Sequence, residues 1–343
     1  MNRKRKMVKL LLCFLTVFCL TGTLYAQEKP VLKFSPAGTL RIVQIADPHY
    51  DPKRENKEAT DRLNLLNQVF DTEKPDFAIY TGDVVNGDTL ADWDAVIAPC
   101  IERKIPWALV FGNHDDEHGH TNEQILEYLQ KKPYCLAERG PKDIGGVGNY
   151  VLEVRKDCES QIGFVLYCFD NAYKVPHKPL ASSGPVGWFS AEQVQWYRTA
   201  SRQYTEANGG KPLPALAFFH IPLDEYAQIP KYPHQTQMTG TMYEDPPGIF
   251  SGIMNSGLFQ AMFECGDVQG TFCGHDHAND FIGLLHGIAL AYGRSACQRY
   301  PIGVRVIEIS SENPQTFKTW IRLMDGKKID AVNVSRQNIT AEE

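Results

Sequence analysis

Trp107-Ala-Leu-Val-Phe111-Gly-Asn-His-Asp115 is an apolar run that stops at a glycine and continues into an amide, an imidazole and a carboxylate. Its length and β-rich residues predict a strand buried on both faces, and Gly112 frees the backbone to turn at its end. Four other apolar runs end in the same way. Leu40–Ala46 leads into Asp47-Pro-His49, Phe77–Thr81 into Gly82-Asp83, Leu216–Phe219 into His220, and Val268–Cys273 into Gly274-His-Asp-His277. A strand-end Asp is commonly a turn residue and an isolated His commonly a core residue. Five strand ends carrying metal-competent groups point instead to one cluster, because functional groups in open α/β sheets gather at the carboxyl ends of the strands.

Between these runs, Leu63, Leu66, Val69 and Phe70 recur at helical spacing within about Glu55–Thr72, and Leu90–Ile101 is a second helical stretch. The β-α-β-α-β alternation predicts a mostly parallel sheet covered by helices. Thr121–Gln130 reads as helix, and Tyr150–Arg155 and Ile162–Phe169 read as strands. Ser190-Ala-Glu-Gln193 has capping-box spacing, flanked by a Phe189/Val194 staple, at the head of a helix reaching about Ala207. Tyr226–Ile253 is rich in Pro, Gly and Tyr and shows no periodicity; loops of that length are usually functional. Its aromatic part suits either a substrate lid or packing over the sheet. Asn255–Glu264 reads as a short helix. Phe281–Leu285, Ile288–Tyr292, Val304–Ile309 and Thr316–Leu323 then read as consecutive strands that form a second sheet.

The chain has 343 residues, 43% of them hydrophobic, enough for a substantial core. Arg3, Lys4, Arg5, Lys6 and Lys9 precede an apolar Leu10–Leu20 too short to span a bilayer comfortably, and Leu24-Tyr25-Ala26 offers a cleavage site. This pattern predicts a signal peptide over residues 1–26, with a single domain over 27–343, exported to the periplasm or the extracellular space, with no stable membrane insertion after cleavage. Cleavage takes the 35 basic residues to 30 against 41 acidic, so the net charge moves from −6 to −11. With no Lys/Arg surplus to displace counterions, long nucleic acid is not an expected partner. Any anionic substrate must be attracted locally. Seven cysteines remain, at positions 100, 135, 158, 168, 265, 273 and 297, with no C-x-x-C pair, so neither a zinc knuckle nor a dense disulfide framework is indicated. Cys168 and Cys273 lie in apolar runs and read as core residues.

Taken in order, Asp47-x-His49, Gly82-Asp83, Gly112-Asn113-His114-Asp115, His220 and Gly274-His275-x-His277 resemble the five motif blocks of the calcineurin-like metallophosphoesterases. Phe219-His-Ile-Pro222 and Gly274-His-Asp-His-Ala-Asn-Asp-Phe281 resemble the purple-acid-phosphatase-like branch of plants and fungi. The chain departs from true purple acid phosphatases at Asn86, where they carry a tyrosine ligand, and at His49, where they have no histidine. The resemblance implies a four-layer α/β/β/α sandwich, two mixed β-sheets flanked by helices. It also implies a dinuclear centre in which one metal takes Asp47, His49, Asp83 and His277, and the other takes Asp83, Asn113, His220 and His275. Two divalent ions about 3.5–4 Å apart hold a hydroxide nucleophile and neutralise a phosphoryl group during in-line displacement. A bridging ligand needs two oxygens, which Asp83 has. Two ions less two carboxylates and a hydroxide leave a positive centre for phosphate. Mixed N/O ligation suits manganese, iron and zinc alike.

His114, beside ligand Asn113, is placed to stabilise transition-state charge or protonate the leaving oxygen, with Asp115 orienting its ring and raising its pKa. Asn255 and Arg294 are candidate phosphate contacts, although a surface ion pair is the plainer reading of Arg294. The expected activity is hydrolysis of a phosphate ester, a monoester first, on a small phosphorylated substrate or a phosphoprotein. The alternatives are a phosphodiesterase or nucleotide hydrolase, and a catalytically silent binding protein with the same fold.

Overall fold

The three N-terminal apolar runs form β1 (Thr39–Ile45), β2 (Phe77–Thr81) and β3 (Trp107–Val110), adjacent and parallel in the computed structural model. The structure describes residues 29–53, 57–156, 161–172, 187–243, 248–298 and 300–342. The signal-peptide reading and Cys158 fall outside them. Helices α1 (Lys57–Glu73) and α2 (Asp92–Glu102) connect the strands and bury Leu65, Leu66, Val69 and Phe70, and Trp93, Val96, Ile97 and Cys100, in the common core. Burial of each large apolar side chain contributes about 1.5–3 kcal/mol, and together these outweigh the roughly 3 kcal/mol cost of Pro99 inside α2. Alternation along β2 sends Tyr80 to the helices, where its hydroxyl donates to Val96 O at 2.8 Å. The next residue, Thr81, faces the other way and accepts from Gln44 Nε2 at 3.1 Å.

Thr121 and Gln124 form a capping box at the start of α3 (Asn122–Leu129). The chain then crosses to a second sheet through the antiparallel pair β4 (Tyr150–Arg155) and β5 (Ile162–Cys168). The Ser190/Gln193 capping box opens α4 (Ala191–Ala207) as expected, with Phe189 and Val194 both buried in the core beneath it. β6 (Ala215–Phe218) follows, then a 3-10 turn over Asp224–Ala227, the single-turn α5 (Gln228–Lys231), α6 (Leu258–Cys265) and β7 (Val268–Cys273).

The C-terminal strands divide differently from the sequence reading. β8 (Ile282–Leu285) and β9 (Ile288–Tyr292) complete the second sheet, whose order is β4-β5-β6-β7-β9-β8. β10 (Gly303–Ser310) and β11 (Thr316–Leu323) return to the first sheet, where β10 pairs antiparallel with β1. Two further strands, β12 (Lys328–Ser335) and β13 (Ile339–Ala341), give the order β13-β12-β11-β10-β1-β2-β3. They went unread because only Val332 and Val334 of β12 and Ile339 of β13 are buried, too few to make a period.

The sheets lie face to face. Leu166, Phe218 and Phe272 point into the interface, while Val165, Tyr167, Ala215 and Ala217 point out toward α4 and α6. The Phe272 and Phe317 rings meet across the interface with centroids 5.9 Å apart. Gly270 makes room for that meeting: a Cβ there would lie 3.0 Å from the Phe317 ring. The fold is therefore the two-sheet sandwich with flanking helices that the resemblance implied. No helix among the described residues is long and apolar enough to cross a membrane.

Candidate metal centre

β1, β2 and β3 are parallel neighbours in one sheet, and β6 and β7 in the other, so all five motif ends emerge at the same edge. Hydrogen bonds join the two edges. Gln44 Nε2 donates to Cys273 O at 2.9 Å, His275 N to Asp47 Oδ1 at 2.9 Å, and Ala296 N to Ala46 O at 2.9 Å.

The predicted ligands converge. Asp47, His49, Asp83 and His277 present ligand atoms within 4.8 Å of one another, and so do Asp83, His220 and His275. Asp83 belongs to both groups. Its Oδ2 lies 3.2 Å from His220 Nε2 and 3.5 Å from His49 Nε2. Asn113 Oδ1 lies 3.2 Å from His220 Nε2, which puts Asn113 with the second group.

Local backbone geometry is unusual here. Asp47, His49, Asp83 and His275 all adopt positive φ, between 43° and 75°, a conformation costing on the order of 1–3 kcal/mol for a residue with a Cβ. The motif glycines serve close approach. A Cβ on Gly112 would lie 2.2 Å from Asp83 Oδ1, and one on Gly82 would lie 2.4 Å from His220 Nδ1. A Cβ on Gly274 would lie 2.8 Å from Asp47 Oδ2. Each glycine thus makes room for a candidate ligand at the end of another strand, in the same sheet for Gly112 and in the facing sheet for Gly82 and Gly274.

Three imidazoles are oriented from behind. His220 Nδ1 donates to Thr81 O at 2.8 Å, His49 Nδ1 to Asn86 Oδ1 at 3.1 Å, and His277 Nδ1 to Gln298 Oε1 at 2.9 Å. Each bond places a proton on Nδ1 and leaves Nε2 to act as ligand, the arrangement typical of metal-binding histidines. His49 Nε2 and His277 Nε2 then face each other at 3.0 Å, an approach that only a proton or a cation between them makes favourable. Asp47 and Asp83 are buried, and burying carboxylates is costly unless positive charge balances them. The donor set therefore fits two divalent ions.

Two of the four imidazoles titrate as that reading requires. Burial lowers His49 to about 4 and His275 to about 3, so both are neutral, as ligation requires. Burial also opposes charge on His220, but the Asp83 carboxylate outweighs it and raises this ring to about 9. His277 likewise overcomes its burial and rises to about 10, through its contact with Cys297 and the Asp47 carboxylate. Burial raises Asp47. Asp83 is held well below the usual carboxylate range despite its burial, because His220 and His49 favour its charge.

Two expectations for the residues around the cluster change. Asp115 does not touch the His114 ring. It is buried, and its carboxylate accepts from the backbone N–H of Gly112 (2.7 Å), Asp83 (3.0 Å) and Val84 (2.7 Å). It ties the end of β3 to the end of β2, and burial, followed by the Asp83 charge, raises it to about 7. The partner of His114 Nδ1 is Glu117, at 2.6 Å. The His114 ring sits 5.5 Å from the His49 ring, is 43% exposed, and can meet a substrate at the mouth.

Arg294 makes an ion pair with Asp280, inside the protein and not at its surface. It is buried, with Nη1 on Asp280 Oδ2 at 2.5 Å and Nη2 on Pro301 O at 2.8 Å. Asn255 is exposed and closes a turn ahead of α6, accepting from Gly257 N at 2.9 Å and donating to Glu225 at 2.9 Å, so both its polar ends are engaged. The sequence reading missed the supporting roles of Gln298 and Glu117, which lie in no motif. Asn171 also belongs to the support. It grips the residue after the candidate ligand His220, donating to Ile221 O at 2.7 Å and accepting from Ile221 N at 3.1 Å.

Comparison with known proteins gives the same picture. The family described as "Calcineurin-like phosphoesterase" matches residues 40–279. The chain is 32% identical over 344 residues to "Probable inactive purple acid phosphatase 14" of Arabidopsis thaliana, covering 86% of this chain and 83% of that protein. It is 30% identical over 330 residues to a phosphatase of Saccharomyces cerevisiae, covering 87% of this chain and 56% of the yeast protein. Among solved structures, a dimetal phosphatase from Danio rerio superposes with a TM-score of 0.57 at 14% identity, covering 87% of this chain and 99% of that one. A purple acid phosphatase from yellow lupin seeds gives a TM-score of 0.54 at 13% identity, covering 90% and 55% respectively.

Proposed function

The chain belongs to the calcineurin-like metallophosphoesterases, in a purple-acid-phosphatase-like branch, and from that premise we propose that it hydrolyses phosphate esters, monoesters foremost, at the cluster around Asp83. The observation that carries this reading is the convergence of Asp47, His49, Asp83, Asn113, His220, His275 and His277, with three of the four imidazoles held Nε2-inward by oxygen acceptors.

Asp47, His49, Asp83 and His277 would hold one divalent ion, and Asp83, Asn113, His220 and His275 the other. Manganese, iron and zinc all suit this N/O set. When bound, such a pair supplies Lewis acidity and a deprotonated water at neutral pH. The residues of the chain do the rest. Asp83 links the two half-sites, and its rigid seat against Gly112 fixes their separation. Asn113 brings a neutral oxygen, which keeps the site net positive toward an anionic ester. His114, held by Glu117 and open at the mouth, is the group that delivers a proton to the leaving alcohol.

The silent-scaffold reading draws on the names of the Arabidopsis relatives, three of which are called inactive. Against it stands the full ligand set in this chain. Activity on p-nitrophenyl phosphate and its bis-ester, with manganese or zinc and then with chelator, separates the readings. Chelator-sensitive turnover that prefers the monoester is expected; turnover of neither ester would favour the scaffold. We further propose export, supported by the basic and apolar pattern of the first 26 residues.

A further inference from the structure

Cys297 belongs to no motif block, and it is one of six free thiols among the described residues. Cys100, Cys135, Cys168 and Cys273 are buried, and Cys265 ends α6 half-buried. Cys297 is also half-buried, but its sulfur stands with candidate metal ligands.

The loop that carries it is pinned to the end of β1. Ser295 bridges to Ala46, the residue before Asp47, and Ala296 N donates to Ala46 O at 2.9 Å. Ser295 Oγ then folds the turn, accepting from Cys297 N at 3.2 Å and from Gln298 N at 3.4 Å, and it lies 3.4 Å from Cys297 Sγ. Two consecutive side chains of this turn reach the same candidate ligand. Gln298 Oε1 holds His277 Nδ1 at 2.9 Å, and Cys297 Sγ lies 3.9 Å from that nitrogen. His49, His277 and Cys297 thereby present three donor atoms within 4.8 Å of one another, the same spread as in the group of Asp47, His49, Asp83 and His277. The sulfur thus goes with the first half-site and not with the group of Asp83, His220 and His275. One step between staggered χ1 positions moves a cysteine sulfur by about 3 Å, which is the scale of adjustment that closing on an ion takes.

Without Cys297, the first half-site offers two imidazoles and two carboxylates, a set that manganese, iron and zinc all accept. A thiolate is a soft donor and favours zinc over manganese. We propose that Cys297 supplies a thiolate ligand to a thiophilic ion in the first half-site, its proton passing to solvent, so that this half-site selects zinc over manganese. The second half-site, with nitrogen and oxygen donors only, lacks that preference. The proposal rests on the two-metal hydrolytic reading above and assigns a class of metal to one position of that same site.

The test reloads the chelator-stripped full chain with cobalt(II), whose absorption reports its ligands. A thiolate-to-cobalt charge-transfer band in the near ultraviolet is expected beside the visible ligand-field bands. Cys297→Ser should lose the charge-transfer band and keep the visible ones, while Cys265→Ser should keep both. Even a partner outside the donor set is worth about 10–100-fold in metal affinity. The zinc-over-manganese preference, read by competition with a chelating dye, should therefore fall at least tenfold in Cys297→Ser. In the unaltered protein, zinc should slow alkylation of Cys297 by iodoacetamide at least tenfold, located by peptide mass spectrometry, and manganese should not; this measurement does not depend on the folding of a variant. Visible bands without charge transfer overturn the thiolate ligand and leave the hydrolytic reading standing. A charge-transfer band that survives Cys297→Ser, or alkylation that zinc does not slow, also overturns it. Failure to bind cobalt at all overturns both readings together.

Discussion

His114 and Asp115 are neighbours in the chain with separate tasks. The His114 ring stands at the mouth on Glu117, and the Asp115 carboxylate is turned inward on three backbone N–H groups. Substitutions should separate these roles. His114→Ala should leave metal content near two ions per chain, by elemental analysis, and lower kcat by about 10²–10³, the usual scale for a lost general acid. Loss of metal in parallel with activity would show that the ring is a ligand. Glu117→Gln keeps the shape and removes the charge, so a smaller fall in kcat, about tenfold, is expected with KM little changed. Asp115→Asn should act on folding instead. It leaves at least one of three buried N–H donors facing an amide, at a cost of about 2–4 kcal/mol in denaturant unfolding.

At the scale of elements, the site depends on strand ends that approach more closely than side chains normally allow. Gly112 ends β3 and seats Asp83 at the end of β2, with no space for a Cβ between them. Gly112→Ala should therefore displace the shared carboxylate and lower affinity for both ions at least tenfold, read by competition with a chelating dye. Retention of full metal content would mean that the strand ends can shift apart. The five strand-end motifs could be read in the sequence because an apolar run that stops at Gly, Asp, Asn or His leaves a local mark. Glu117, Gln298 and Asn171 could not, because each acts on a group that is distant in sequence or sits in no pattern. The assignment of Asp115 to His114 was the natural inference from adjacency. The turn that follows Gly112 points the two side chains in different directions.

Across the whole molecule, metal binding, protonation and stability are linked. His220 and His277 have folded-state values of about 9 and about 10, above the ordinary 6.5. In the chelated protein their protonation therefore stabilises the fold fully below 6.5, and this contribution is lost as pH rises through 9 to 10. A divalent ion needs the same two rings deprotonated. Metal uptake at pH 7 should thus release protons, detectable by calorimetry in buffers of different ionisation enthalpy. The increase in Tm on adding metal should also grow from pH 6 to pH 9. At a free metal concentration a hundredfold above Kd, the gain is about 2.7 kcal/mol. An increase in Tm that does not vary with pH would contradict this linkage.

The sequence alone determined the family, the two-sheet sandwich and which seven residues are candidate ligands, because strand periodicity and turn-forming residues are local and the motif blocks keep their order along the chain. The tertiary structure decided which sheet each C-terminal strand joins, that Arg294 serves Asp280, that Asp115 serves the backbone, and that Cys297 stands beside His277. Those outcomes depend on which groups meet across tens or hundreds of residues. A side chain's nearest partner in space is set by packing, and no spacing along the chain records it.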